Sequence, residues 1–176
     1  MRKQQIAFIV ILTHLWVVMI FLGGLVFDTL ILYPNVFYDV PRSLETAMAF
    51  AVVRGPSDFF PPVGTLALLT GIGTLILGWR VKSARYWILG SVTVILVGEF
   101  LFSAAFFWPR NTIMFEEGTA VHSVAYLKQT AREFQTGHWL RLAMSAVASA
   151  LSFVGFLRFY RHRFTFQETP AGMKDS

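Results

Sequence analysis

In the stretch GHWLRLAMSAVAS, residues 137–149, His138 and Arg141 stand one helical turn apart at the head of a run otherwise fit for lipid. An imidazole takes and returns a proton near neutral pH, and a guanidinium holds an oxyanion in a rigid fork of N–H donors. Both are strong hydrogen-bonding groups, brought to the lip of a bilayer helix with a tryptophan between them. Other polar side chains interrupt apolar runs elsewhere: His14, Asp28 and Glu99 within them, Arg110 and Asn111 at the end of one, and His122 beyond it. An aspartate at a helix centre costs about 2.5–3.5 kcal/mol on insertion scales, so such residues face the bundle interior, need partners and default to function.

Elements of the right length must carry them. Apolar runs cover residues 6–33, 61–79, 86–108 and 139–157, and a hydrocarbon core is crossed by about 20 residues of helix. The chain is 55% hydrophobic and only 14% charged, whereas soluble domains carry about a quarter charged residues. The expectation is an all-α protein: one four-transmembrane-helix domain over residues 1–163, with residues 164–176 as a flexible cytoplasmic tail. Two short helical segments are expected outside the membrane. PRSLETAMAFAVVRGP has a proline at a first helical position and Gly55-Pro56 as a stop, which gives a helix over 41–54. Val121, Val124, Leu127, Ala131 and Phe134 recur at helical spacing and Gly137 closes the segment, which gives an amphipathic helix over 119–135. His122, Tyr126, Gln129 and Glu133 would supply its polar face.

The formal charge is +5, but its distribution reports topology and not a nucleic-acid partner. Nine of the fifteen basic residues (Arg2, Lys3, Arg80, Lys82, Arg85, Arg158, Arg161, Arg163 and Lys174) fall on one side of the proposed spans. By the positive-inside rule both termini are cytoplasmic, in a multi-pass protein of a cell membrane, read as a bacterial one. There are no cysteines, which excludes disulfides, thiolate metal sites and cysteine nucleophiles. Ser145, Ser149 and Ser152 share a face of the last helix, and Gly64, Gly71 and Gly73 lie on the second. Both sets read as packing grooves, since small residues let helices approach closely in lipid.

At about 1.5 Å of rise per residue, His14 falls in the inner half of the membrane. Asp28 and His138 fall near the outer lip, Glu99 near the middle or slightly outside it, and Arg141 about a turn below His138. Arg141 is placed to pair with Asp28 or Glu99, because an unpaired charge is not tolerated there. His14, alone on an apolar face, is either a satisfied core histidine or a ligand for a metal or haem. Trp108 and Trp139 flank the site, although interfacial anchoring is the favoured reading of both.

The stretch FWPRNTIMFEEG, followed by HWLRLAMSAVASALSFVGFLRFYR, resembles a family of small four-helix membrane proteins whose named members are the anthrone oxygenases of aromatic polyketide pathways. The likeness lies in a P-x-N element, Pro109-Arg110-Asn111, and in an H-x-x-R element, His138 to Arg141. It covers the C-terminal half by motif and the whole chain by helix count and loop lengths, and does not extend to His14 or Glu99. It implies an outer-leaflet pocket between helices 3 and 4, lined by Asn111, His138 and Arg141 as the catalytic set. It also implies a monooxygenase-type oxidation, by dioxygen, of an electron-rich phenolic carbon to a quinone. Glu99, Arg110, Trp108, Trp139 and Asp28 are then the candidates for holding the substrate.

No cofactor follows from the sequence. A cofactor-free route through a carbanion ranks first. Iron or copper on His138, His122 and a carboxylate ranks second, and a metal or haem on His14 stays open. The partners read from the sequence are the lipid bilayer, a hydrophobic small molecule, and further copies of the chain or a larger membrane complex. A non-enzymatic subunit or scaffold of such a complex is the alternative to an enzyme. A proton relay through His14 and Glu99 is disfavoured by four helices without broken segments or repeats.

Overall fold

The computed structural model describes residues 2–165, with side chains from Lys3 to Arg163. The flexible tail expected over 164–176 lies almost wholly outside the described residues. The described chain is all helix, in five elements: α1 (Lys3–Phe37), α2 (Arg42–Phe50), α3 (Pro56–Gly78), α4 (Lys82–Val121) and α5 (Val124–Thr165). All but α2 are long and apolar enough to cross a membrane, the mark of a multi-pass membrane protein. They run alternately up and down, so both ends of the described chain and the α3–α4 turn share one end of the bundle. The connections containing α2 and joining α4 to α5 share the other, called here the distal end. Each long helix packs against two neighbours, in the ring α1–α3–α4–α5.

Every long helix exceeds its apolar run, and the reasons are local. Three begin or continue through proline. Pro56 opens α3, where its missing N–H loses nothing. Gly55 N–H, just before it, donates to Asp58 Oδ2 at 2.8 Å. That cap starts the helix at Pro56, not at 61 as the apolar run implied, and ends the chain's claim to a helix over 41–54: α2 stops at Phe50. In α1 and α4 the helix widens into π-helical turns immediately before an internal proline: Asp28–Leu32 ahead of Pro34, and Ser103–Phe107 ahead of Pro109. Proline cannot donate and crowds the carbonyl a turn back, so the ladder there must re-form at longer spacing. Two more π-helical stretches, Ile95–Leu101 and Thr112–Glu117, lie in α4.

The expected second extramembrane helix is not a separate element. Residues 119–135 divide between the end of α4 and the first turns of α5, which runs unbroken through Gly137. The buried positions of α5 keep one register throughout: Leu127, Ala131, Phe134, His138, Arg141, Ser145, Ala148, Ser152 and Phe159. Because the amphipathic segment and the span share a phase, nothing requires a break between them. Gly137 is there for space, since a Cβ on it would run into the Phe106 ring.

Small residues set the close approaches along the same face. A Cβ on Gly155 would lie 2.7 Å from Cγ1 of the fully buried Ile88. Gly155→Ala is therefore expected to cost about 1–3 kcal/mol through overpacking. Gly23→Ala, where a Cβ meets nothing within 4 Å, should be neutral or stabilising by about 0.5–1 kcal/mol. Thermal unfolding of the two purified variants in one detergent checks both signs.

Candidate functional site

Three elements bring their polar side chains to one place in the distal half of the bundle. Glu99 sits in the π-helical stretch of α4, Asp28 opens that of α1, and His138 and Arg141 lie on the buried face of α5. Arg141 Nε donates to Glu99 Oε2 at 2.8 Å, with both side chains almost wholly enclosed. Of the two carboxylates offered by the sequence, Glu99 is thus the partner in contact, and Asp28 is near enough to share the field of the same guanidinium. Among the described residues Nε makes the one hydrogen bond from Arg141, although a guanidinium carries five N–H donors. Its cationic carbon faces the rings of Phe60, Phe107 and Phe21 at 5.1, 5.3 and 5.5 Å, which hold the charge by cation–π attraction.

His138 is 1% exposed and stands in a cage of rings. Tyr33 lies 4.3 Å away between centroids, Phe107 4.8 Å and Phe134 5.0 Å. Tyr33 was not picked out by the sequence. It comes to the site because the π-helical turn of α1 bonds Tyr33 N–H to Asp28 O, stacking residue 33 over residue 28. Its hydroxyl turns to the Asp28 carboxylate. Ser145, one turn below Arg141, brings its hydroxyl toward Glu99.

The cluster is not saturated. Among the described residues Asp28 Oδ2, Glu99 Oε1 and His138 Nδ1 are buried without a hydrogen-bond partner, with the Tyr33 and Ser145 hydroxyls turned toward the two carboxyl groups. Native proteins pair the large majority of such atoms, and each one left over costs about 1–3 kcal/mol. Three of them, on three helices around one guanidinium, are the distinctive feature of this site.

The other candidates go elsewhere. Arg110 is held by Glu133, with its Nη2 2.7 Å from Oε2, and by the Phe106 carbonyl; it bridges α4 to the distal turns of α5. Asn111 is half-buried on α4 and makes no side-chain hydrogen bond to His138 or Arg141. Trp108 and Trp139 are 55% and 56% exposed, so they face outward from the bundle, as interfacial anchors do, and do not line the site. The tryptophan between His138 and Arg141 is thus turned out of the buried face that those two share.

The three candidate metal-binding histidines lie in three separate environments. His14 is a core histidine: Nδ1 hydrogen-bonds with Thr70 Oγ1 at 3.2 Å and Nε2 with Ser152 Oγ at 3.0 Å. Ser91 extends that chain to the Ala148 carbonyl and ties α4 into it. With both ring nitrogens engaged, His14 has none to offer iron or haem. His122 pairs with Glu117. Among the described residues no three His, Asp or Glu side chains gather at ligand spacing, so the set of His138, His122 and a carboxylate does not assemble.

Neither of the two cavities described next is lined by Asn111, His138 or Arg141. The cavity that reaches the site touches Glu99 and Ser145 on its polar side, with Phe21, Gly64 and Ile95 among its apolar walls. It leaves about 10 Å³ for the centre of a water-sized sphere, which suits about one water molecule. A larger groove of about 230 Å³ lies nearer the distal end, beside Phe37, Tyr38, Lys128, Arg132 and Gln135. No family model, curated protein or solved structure matches this chain.

Proposed function

We propose that this protein is a membrane oxidoreductase of the oxygenase type, acting on a lipophilic phenol or quinol that reaches the His138–Arg141 centre from the bilayer. The observation that carries the reading is the set of unpartnered buried atoms, Asp28 Oδ2, Glu99 Oε1 and His138 Nδ1, around one guanidinium. A polar-headed guest would satisfy them. The caging rings of Tyr33, Phe107 and Phe134 suit an aromatic body.

For an anthrone-like substrate the chemistry runs on this chain's own groups. His138 Nδ1 takes the enol proton, and the terminal N–H groups of Arg141 hold the oxyanion. The electron-rich ring carbon then adds dioxygen. His138 returns its proton to the resulting peroxide, and loss of water leaves a carbonyl. In sum the methylene gives up two hydrogens and gains one oxygen atom, while the second oxygen atom leaves as water. Tyr33, itself a phenol seated on His138 beside Asp28, occupies the place such a substrate would take, so admission requires the Tyr33 ring to move aside.

The test is oxygen uptake by purified protein in nanodiscs supplied with anthrone. The expected result is faster consumption than in empty nanodiscs, with one labelled oxygen atom from ¹⁸O₂ in the anthraquinone formed. Equal rates with and without protein would overturn the assignment.

The same reading sets both termini in the cytoplasm and the distal end outside. The chain has no cysteine, so Glu45→Cys and Lys128→Cys each add a single label site. An impermeant maleimide should modify both in intact cells. Modification only after the membrane is breached would reverse the orientation.

A further inference from the structure

The groove at the distal end carries a charge pattern that the ion-pair centre does not explain. Lys128 and Arg132 are one helical turn apart on α5, both exposed and both beside it. Among the described residues neither side chain has an ion pair or a hydrogen bond. Like charges at this spacing repel, so α5 holds them together at a small cost. The neighbouring carboxylates have their hydrogen bonds and closest ion pairs elsewhere, although Glu133 also feels the charge of Arg132. Glu133 is bound to Arg110 and Gln129. Asp39, between the groove residues Tyr38 and Val40, lies 4.0 Å from Arg42.

The opposite wall is aromatic and leads inward. Phe37 and Tyr38 line the groove; Phe37 stacks on Tyr33 at 5.5 Å between centroids and nearly parallel, and Tyr33 lies on His138. Gln135 lines the groove too, and its Nε2 donates to the Tyr33 carbonyl at 3.4 Å. Two stacked rings therefore separate a basic, water-accessible groove from the buried imidazole.

We infer that this groove is a binding site for the anionic group of an aromatic amphiphile, with Lys128 and Arg132 holding a carboxylate or phosphate while the apolar body lies along Phe37 and Tyr38. At about 230 Å³ the space suits a head group and an adjoining ring, not a whole large ligand. The groove's role as the vestibule of the centre rests on the proposed oxygenase chemistry. Its anion binding does not.

The test uses the full chain in nanodiscs of phosphatidylcholine, with 9-anthracenecarboxylate and its neutral counterpart 9-anthracenemethanol as fluorescent probes. The carboxylate should bind about tenfold tighter, the scale of two sheltered ion pairs. Lys128→Gln together with Arg132→Gln should bring the two probes level while leaving the alcohol's affinity unchanged. Lys82→Gln, at the far end of the bundle, should leave the preference intact.

Replacing part of the lipid by phosphatidylglycerol separates two sources of the natural anion. A loss of carboxylate affinity larger in the wild type than in the double variant identifies a lipid headgroup, and equal effects identify a free aromatic acid; either supports the site. Equal affinity of the two probes for the wild type, or a preference that survives the double substitution, would overturn it. A preserved preference in a protein that fails to accelerate oxygen uptake would overturn the chemistry at His138 and leave the groove standing.

Discussion

Arg141→Leu is expected to cost about 3–5 kcal/mol of stability, because it strands the Glu99 carboxylate unpaired in the bundle interior. The reverse single change, Glu99→Leu, should cost a similar amount by leaving the guanidinium with only ring faces around it. Removing both together should be neutral or even stabilising, since a buried pair contributes little beyond what apolar packing supplies. A double-mutant cycle on thermal unfolding in detergent measures the coupling, and additivity of the two single costs would show that the contact at 2.8 Å carries no energy. The doubly apolar variant also separates the enzyme from the scaffold reading. A scaffold keeps its fold and its assembly when the pair is replaced by leucines. The oxygenase keeps its fold and loses the group that holds the oxyanion. Arg141→Lys should be inactive as well, since a point charge does not reproduce the planar fork.

His138→Phe should divide stability from activity in the opposite sense. The ring cage of Tyr33, Phe107 and Phe134 accepts another ring of similar size, and the substitution removes the unpartnered Nδ1. Replacing an unsatisfied buried polar group by an apolar one is neutral or stabilising. Turnover, in contrast, should fall about a hundred- to ten-thousand-fold, the usual contribution of a positioned general base. Unfolding midpoint and oxygen uptake on the same preparation decide it. A variant that is destabilised and still active would mean that His138 is a packing residue with a partner formed only in the membrane.

The four spans were legible because their apolar runs each exceed the bilayer's requirement, and no soluble arrangement accommodates so many. The pairing of Arg141 with a carboxylate was legible for the same reason: a charge in hydrocarbon must be met. Where each helix ends was not. Gly137 looks like a terminator by its residue type, yet the buried register of α5 passes through it in phase. Pro56 looks like part of a stop and is the first residue of the next helix. Tyr33 escaped notice because five residues of α-helix turn it roughly 140° away from Asp28. Only the π-helical turn before Pro34 brings the two together, and no residue pattern announces such a turn. Trp108 and Trp139 went the other way: nearness in sequence to Arg110 or His138 suggested a shared site, and helical rotation directs the tryptophans away from it.

Both the ion pair and the aromatic cage would hold a bundle together without any guest, so the partnerless Nδ1 of His138 is the atom on which the functional account depends. Solid-state NMR of protein with ¹⁵N-labelled histidine, in bilayers loaded with ¹³C-labelled anthrone, measures that atom directly. A dipolar contact between the anthrone ring and His138 Nδ1 is expected, lost in Asp28→Leu or Arg141→Leu protein that retains its fold. Anthrone carbons that couple to lipid alone, with His138 unaffected by its addition, would contradict it.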